Sequence, residues 1–273
     1  MNPKYETTKK EIKAENTKED DFCIHHADAL TQVKTFKKRG LKVNHIITDP
    51  PYNISQKNRF HILSNRTGLD FGEWDRDFDL TGWIEDYAEI LENGGSMIVF
   101  NSFFHLGYIA DAMKKAGLVV KDVLKWRKAN PMPRNINRRY VQDTEFAIWA
   151  VKPGAKWIFN KRIENKYERA EFHAPVVSGS EKTAHPTQKS LKLMNEIIEI
   201  HTNKNELILD PFMGSGTTGV AAIYKERRFI GIELEVSYYN IAKTRLDETQ
   251  IIKNHKMSKK ILKRGRQLKH KAV

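Results

Sequence analysis

Short apolar runs alternate with amphipathic stretches along most of this 273-residue sequence. That alternation is typical of a mostly parallel β-sheet whose strands are connected by helices. Seven apolar runs predict strands, at residues 22–25, 43–48, 96–100, 119–126, 146–151, 207–209 and 229–232. Five amphipathic stretches predict helices, at residues 80–91, 104–116, 190–201, 217–225 and 236–246. We therefore expect an α/β fold with helices on both faces of one sheet.

Two stretches interrupt this alternation. Residues 53–79 are polar and without a period, and they contain Lys57, Arg59 and Arg66. A connection of this length without secondary structure is usually functional, so we predict a functional loop. Residues 128–182 include the basic run NPMPRNINRRY and a further basic, aromatic segment. We expect this insert to carry specificity rather than core packing.

The net charge of +13 is concentrated at one end of the chain. Residues 251–273 contain nine Lys or Arg and no acid, whereas residues 1–250 contain 38 basic and 34 acidic residues. A basic tail suits a polyanionic partner, but a solvated tail would have the same composition. Residues 1–20 balance five Lys against five acids and predict a disordered or frayed segment. We expect a single domain over residues 21–250.

Composition also excludes some classes of protein. No run approaches the roughly 20 apolar residues of a membrane span, and the first residues lack the apolar core of a secretion signal. The single cysteine, Cys23, cannot form an internal disulfide, which fits a cytosolic protein. The ten histidines show no metal-ligand spacing, so no metal is expected, and His185 has a structural or ligand-contacting role.

Residues 206–233 have the order strand, DPFMGSGTTG, helix, strand and acid. We call DPFMGSGTTG, residues 210–219, the glycine loop. Its glycines let the backbone approach a ligand, and the following helix offers free N–H groups. Glu233 ends the next strand, where it can accept both hydroxyls of a ribose. The loop also satisfies GxGxxG, so a nicotinamide dehydrogenase is an alternative.

Charge favours a different ligand. Asp210 would face the pyrophosphate of a dinucleotide, whereas a cationic, phosphate-free ligand such as S-adenosylmethionine tolerates a carboxylate there. No Lys follows the glycines, which excludes a phosphate-binding P-loop. The glycine loop therefore indicates a site for S-adenosylmethionine.

The tetrapeptide Asp49-Pro50-Pro51-Tyr52 follows the apolar run VNHIIT. Its prolines remove two N–H donors and leave their carbonyls as acceptors. The Asp49 carboxylate and the Pro50 carbonyl can accept both hydrogens of a base amine, which aims the nitrogen lone pair at an incoming methyl group. Tyr52 would stack on that base, which must leave the duplex to reach the turn. Alone, this sequence could be a simple loop turn; beside the glycine loop it predicts transfer of a methyl group to an amine.

Over residues 22–246 the chain resembles the bacterial DNA amino-methyltransferases, in which DPPY is the catalytic motif and the glycine loop binds the methyl donor. In that family HPTQKS, here residues 185–190, opens the helix before the donor-binding strand and packs around the methionine end of the donor. The resemblance implies S-adenosylmethionine as cofactor, S-adenosylhomocysteine as product, and no metal. It assigns donor contacts to Asp28, Ala29, Asp49, His185, Pro186, Thr187, Gln188, Lys189, Asp210, Pro211, Phe212, Gly214, Ser215, Gly216, Thr217, Thr218 and Glu233.

The motif order is similar to that of the circularly permuted β group, found in restriction–modification systems. That resemblance implies a Rossmann-like, seven-stranded, mostly parallel methyltransferase sheet, with target recognition in residues 128–182. The loop at 53–79 would then be mobile and cover the DNA and the flipped base. Asp at the first DPPY position favours adenine N6 by family habit; cytosine N4 and an RNA amine are the alternatives.

Eight residues of the two interrupting stretches are candidates for DNA contact: Lys57, Arg59, Arg66, Arg134, Asn135, Asn137, Arg138 and Arg139. Arg can read guanine edges or phosphate, and Asn can read adenine, although a solvated basic loop would look the same. DNA is the expected partner. The resemblance also allows a homodimer and a separate cognate restriction endonuclease.

Overall fold

The computed structural model describes residues 21–53, 77–131, 133, 137–138 and 140–270, with residues 256–270 described by their backbone. These residues form the strands β1 (Phe22–His26), β2 (Val43–Thr48), β3 (Leu91–Asn101), β4 (Val119–Lys128), β5 (Thr144–Val151), β6 (Glu171–Ala174), β7 (Leu207–Asp210) and β8 (Arg228–Glu233). They pair into one sheet in the order β1-β8-β7-β2-β3-β5-β4-β6.

Strands β1, β8, β7, β2 and β3 run parallel to one another. Strand β5 is antiparallel to both of its neighbours, and β6 is parallel to β4. All seven predicted strands are confirmed, but the sheet has eight strands rather than seven. The additional strand, β6, has only four residues and no apolar run. It is the outermost strand and pairs with β4, whose Trp126 donates to the Ala174 carbonyl at 2.9 Å.

Helices cover both faces of the sheet, as expected from the apolar run in β2, which is buried on both sides. Ile46 belongs to the core cluster that contains Val33, and Ile47 to the cluster that contains Ile197. The helices of the first face are α1 (Ala29–Lys38), α2 (Ile84–Ile90) and α3 (Leu106–Lys115), and those of the second are α4 (Leu191–His201), α5 (Thr217–Tyr224) and α6 (Val236–His270).

Helix α1 is the one described α-helix that the apolar pattern did not predict. Asp28 caps it, because its carboxylate accepts a hydrogen bond from the Thr31 N–H at 2.8 Å. Only Ala29, Val33 and Phe36 are buried among its ten residues, so the apolar stripe is narrow. An N-cap aspartate followed by apolar residues at this spacing is the signal that could have located it.

Helix α6 is longer than predicted and crosses the expected boundary at residue 250. The prediction ended it at Leu246, whereas the helix continues to His270. The carboxylate of Asp21, just before β1, accepts hydrogen bonds from Gln250 at 2.8 Å and Lys253 at 2.6 Å. The first residues of the predicted tail are therefore tied to the start of the sheet.

Candidate active site

The carboxyl ends of the parallel strands meet at one edge of the sheet. Strand β8 ends at Glu233, which lies opposite His26 of β1, and β7 ends at Asp210. Strand β2 pairs with β7 and ends at Thr48, so Asp49 follows at the same edge. Because β7 and β2 are neighbours, the fold brings the glycine loop and the DPPY turn together, as parallel α/β sheets do at their ligand sites.

The glycine loop turns from β7 into α5 with two residues in the left-handed region. Gly214 and Gly216 have φ values of 51° and 77°, which favour glycine. Arg245 of α6 holds this backbone, donating to the Ser215 carbonyl at 2.6 Å and to Thr217 Oγ1 at 3.1 Å. The loop is therefore held in a shape that a ligand can approach closely.

Asp210 is a buried carboxylate at the base of this loop, with 2% of its surface exposed. Its Oδ1 accepts hydrogen bonds from Thr48 Oγ1 at 2.6 Å and from the Phe212 N–H at 3.1 Å. Burial raises the pKa of Asp210 to about 7, although the hydroxyls of Thr48 and Thr218 oppose the shift. A cationic ligand at this carboxylate would restore its charge.

Glu233 presents a second carboxylate beside the loop. Its Oε2 accepts the Gly214 N–H at 2.9 Å, and its Oε1 accepts the Glu235 N–H at 2.8 Å. Burial raises the pKa of Glu233, while these backbone hydrogen bonds lower it. A carboxylate offers about four acceptor positions, so Glu233 can still accept a hydroxyl of a ribose.

The DPPY turn is held by its own tyrosine and by a distant lysine. Tyr52 donates its hydroxyl to Asp49 Oδ1 at 2.5 Å, and Lys189 donates its ammonium to Asp49 Oδ2. Lys189 Nζ also lies 3.4 Å from the Tyr52 hydroxyl, and the residue is only 8% exposed. Family resemblance assigned Lys189 to the donor, but in this structure its ammonium contacts the predicted catalytic carboxylate.

Glu145 and Lys128 extend this contact into a row of alternating charges that the motifs did not indicate. Lys189 Nζ lies 3.3 Å from Glu145 Oε2, and Lys128 Nζ lies 2.7 Å from Glu145 Oε1. Glu145 lies near the start of β5, which is antiparallel, so it reaches the edge where the parallel strands end. An acid at the start of an apolar strand is a weak sequence signal for a site residue. It places Glu145 at the site only if β5 is known to run antiparallel to its neighbours.

Burial and charge act in opposite directions in this row. Burial raises the pKa of Asp49, and Lys189 does not fully offset it. Burial also raises the pKa of Glu145, but Lys189 and Lys128 outweigh it and leave that pKa lowered. The Lys189 ammonium keeps a raised pKa despite its burial because Asp49 and Glu145 flank it.

The HPTQKS segment packs against the glycine loop through His185. A Cβ added to Gly214 would lie 2.8 Å from His185 Nε2, and the ring lies edge-on to Tyr238 at 4.4 Å. Burial lowers the pKa of His185 to about 4, so the ring is neutral at neutral pH. Gln188 fixes the same segment, since its side chain accepts the Thr183 N–H at 2.9 Å.

The remaining predicted donor contacts lie around the same edge. Asp28 follows β1 and uses its carboxylate to cap α1. Of the two residues predicted here, Asp28 is exposed and Ala29 is buried, with 5% of its surface exposed. The ring of Phe212 lies between Phe78 and Trp83, with both centroid distances 5.3 Å. These contacts place an aromatic wall beside the glycine loop.

Both ends of the predicted loop at 53–79 are joined at this wall. Asn53 donates its amide to the Phe78 carbonyl at 2.6 Å and accepts the Phe78 N–H at 2.9 Å. Residues 54–76, with Lys57, Arg59 and Arg66, lie outside the described residues.

The predicted recognition segment at 128–182 divides between the two edges of the sheet. Residues 129–143 connect β4 to β5 at the edge of the DPPY turn, and Asn137 and Arg138 are exposed there. After Val151 the chain lies at the opposite edge, where the Asn160 N–H donates to the Ile200 carbonyl at 2.7 Å. Strand β6 then brings it back to the edge of the DPPY turn, where the Val176 N–H donates to Asn130 Oδ1 at 2.6 Å. Three predicted DNA contacts lie outside the described residues, namely Arg134, Asn135 and Arg139.

Two negative findings apply to the described ranges alone. Within them, no group of three or more His, Cys, Asp or Glu side chains could hold a metal ion. No helix there is long and apolar enough to cross a membrane.

The fold and this edge define an α/β methyltransferase of the Rossmann-like type. The family model described as DNA methylase, of the N6 and N4 enzymes, matches residues 43–244. The chain belongs to this family and is a site-specific DNA methyltransferase. The dehydrogenase alternative is therefore wrong, although the glycine pattern alone allowed it.

Individual relatives agree with this assignment. The type II methyltransferase M2.MboI of Moraxella bovis is 30% identical over 250 residues, which are 86% of this chain and 91% of that protein. The crystal structure of the M1.HpyAVI–SAM complex has 51% sequence identity and a TM-score of 0.70, covering 82% of this chain and 98% of that one. The cytosine-N4-specific PvuII DNA methyltransferase, at 16% identity and a TM-score of 0.62, shares the fold.

Proposed function

We propose that the chain transfers the methyl group of S-adenosylmethionine to N6 of an adenine flipped out of DNA. Asp49 and Pro50 hold the target amine, and Asp210 and Glu233 hold the donor. One observation carries the proposal: Thr48, the residue before Asp49, donates a hydrogen bond to Asp210 at 2.6 Å. The DPPY turn therefore begins beside the buried acid of the glycine loop. Donor and acceptor sites on this edge are therefore adjacent.

The residues at the glycine loop fit the proposed donor. S-adenosylmethionine carries a ribose diol, an amino group and a sulfonium that activates its methyl group for transfer. Glu233 offers two oxygens suited to the diol, and Asp210 offers a buried carboxylate suited to positive charge. The M1.HpyAVI structure, which contains SAM, supports the same donor here.

The DPPY turn supplies the acceptors for the amine. The amine nitrogen of adenine is a weak nucleophile because its lone pair is delocalised into the ring. Hydrogen bonds to Asp49 and the Pro50 carbonyl localise that lone pair, and Tyr52 stacks on the flipped base. The proton lost by the amine can pass to Asp49, whose pKa is raised by burial.

The choice of adenine rests on Asp49 as the first DPPY residue, and cytosine N4 remains the alternative. The proposal extends to Asn137 and Arg138 as DNA contacts, because both are exposed at the edge of the DPPY turn. We further propose that the enzyme acts in the cytoplasm, alongside a separate cognate restriction endonuclease, as in type II systems.

Incubation with DNA and S-adenosylmethionine, digestion to nucleosides and mass spectrometry will identify the product. We expect N6-methyladenine. N4-methylcytosine would overturn the choice of base, and unmodified DNA would overturn the proposal. Asp49→Ala should abolish methylation and leave donor affinity within a few-fold, whereas Asp111→Ala, at an exposed position on α3, should leave both unchanged.

A further inference from the structure

Both oxygens of Asp49 already accept a hydrogen bond in the structure. Oδ1 accepts the Tyr52 hydroxyl and Oδ2 accepts the Lys189 ammonium. The proposed function, on which this inference rests, requires the same carboxylate to accept an N–H of the target amine. The Lys189 ammonium therefore already occupies an acceptor position on Asp49. The target amine must share this position or displace the ammonium from it.

An ammonium that stays on Asp49 would oppose methyl transfer. Positive charge develops on the amine nitrogen as its bond to the methyl carbon forms, and a cation in contact with the same carboxylate repels it. Lys189 would also neutralise the charge with which Asp49 attracts the amine hydrogens. Removal of this cation from Asp49 would relieve both effects.

The structure contains a second carboxylate that can take the ammonium. Glu145 Oε2 lies 3.3 Å from Lys189 Nζ, while Lys128 holds the other oxygen, Oε1, at 2.7 Å. Because Nζ already lies within ion-pair distance of Glu145 Oε2, a short movement towards Glu145 would transfer the ammonium from one carboxylate to the other. Among the polar contacts described for Glu145, the partners are Lys128 and Lys189, so its contact with Asp49 runs through Lys189, while its negative charge also raises the pKa of Asp49.

We propose that Lys189 holds the amine site on Asp49 in the substrate-free enzyme and shifts to Glu145 when the flipped base enters. Lys189 thereby balances a half-buried carboxylate while no base is present, and Glu145 keeps the ammonium paired after the exchange. Glu145 is a positioning residue in this scheme, since it acts through Lys189. Lys189 and Lys128 outweigh the effect of burial and leave the pKa of Glu145 lowered, so this carboxyl group is ionised at neutral pH.

The exchange can be measured through the contribution of the amine to DNA binding. The probe is a DNA duplex that the wild type methylates, with S-adenosylhomocysteine present. Its target position carries either adenine or purine, which lacks the amine. The ratio of the two dissociation constants contains the amine contact and the different cost of flipping each base. The flipping cost is the same for every variant, so a change in the ratio between proteins isolates the amine contact. We expect about a tenfold preference for adenine in the wild type, equal to about 1.4 kcal/mol.

Glu145→Gln should leave Lys189 on Asp49. The preference for adenine should then fall by about tenfold relative to the wild type, while the affinity for the donor stays unchanged. Adding Lys189→Met to Glu145→Gln should restore much of the preference, because the competing ammonium is gone. Glu145→Asp keeps the charge and should retain most of it. Glu168→Gln is the matched control, since Glu168 is a carboxylate paired with Arg162 at the opposite edge.

A wild-type preference in Glu145→Gln, or a double variant no better than the single one, would overturn the exchange. Thermal unfolding of each variant separates loss of binding from loss of fold. Loss of the preference in a folded Glu145→Asp, which keeps the charge, would also overturn the exchange. Methylation of the duplex by the wild type tests the proposed function separately.

Discussion

Asp210 is the residue at which donor binding and fold stability should conflict. Its carboxylate is 2% exposed, and burial raises its pKa from 3.8 to about 7. Asp210→Asn keeps an oxygen that can accept from Thr48 and the Phe212 N–H, and it removes the charge. The variant should therefore fold well and bind S-adenosylmethionine poorly.

The magnitude follows from the shift in pKa. A carboxyl group whose pKa is raised in the folded state binds its proton more tightly there, so stability is lost as pH rises from the unfolded to the folded pKa. A shift of about three units corresponds to about 4 kcal/mol as an upper limit, at 1.36 kcal/mol per unit. Between pH 5 and pH 8 we expect the wild type to lose about 2–3 kcal/mol relative to Asp210→Asn.

Urea unfolding of both proteins at pH 5 and pH 8, without donor, measures this difference. The free energies of unfolding should be similar at pH 5, and the variant should be more stable at pH 8. Calorimetric titration at pH 8 should show donor affinity reduced at least about tenfold in the variant, or about 1.4 kcal/mol. Equal pH dependence in the two proteins would refute the argument that Asp210 is ionised at a cost.

Three further predictions concern the support of the site and the tail. Gly219→Ala should lower the free energy of unfolding by about 1–3 kcal/mol, because a Cβ would lie 2.5 Å from the Phe229 ring; unchanged urea stability would contradict this. Arg245→Met should weaken donor binding several-fold by freeing the Ser215 carbonyl, which titration calorimetry can measure, and an unchanged affinity would show that the loop holds itself. Truncation after His255 removes eight Lys and Arg but keeps the contact of Lys253 with Asp21, so it should reduce the salt dependence of DNA binding and leave the methylated site unchanged; a changed site would contradict this.

The topology also changes where specificity should be sought. The sequence presented residues 128–182 as one insert, yet it contains β5, a core strand, and it crosses the sheet from one edge to the other. The connection from β4 to β5, residues 129–143, begins and ends at the edge of the DPPY turn, and the chain after β6 returns to it at Val176, whereas residues 152–168 do not reach it. We therefore expect exchange of 129–143 between relatives to transfer the target site, whereas exchange of 152–168 should not; methylation mapping of the hybrids distinguishes the two.

The elements that the sequence predicted correctly are those that local chemistry specifies. Apolar runs with turn residues after them placed seven strands, because burial on a sheet depends on a short periodic pattern. DPPY and the glycine loop could be recognised in the sequence because proline and glycine have backbone effects that do not depend on their surroundings. Their position after strands then implied one common edge. The narrow stripe of α1 and the short β6 lacked such a pattern and were missed.

Which charges meet at that edge depends on how the strands are arranged in the folded chain. Lys189 and Asp49 are 140 residues apart, and Glu145 reaches them because β5 runs antiparallel to its neighbours. No local pattern encodes such a contact, since it depends on strand order and on the direction of each strand. The raised pKa of Asp210 has the same origin: a carboxylate at a strand end is ordinary in sequence, and becomes costly to ionise only when α5, β2 and the glycine loop bury it.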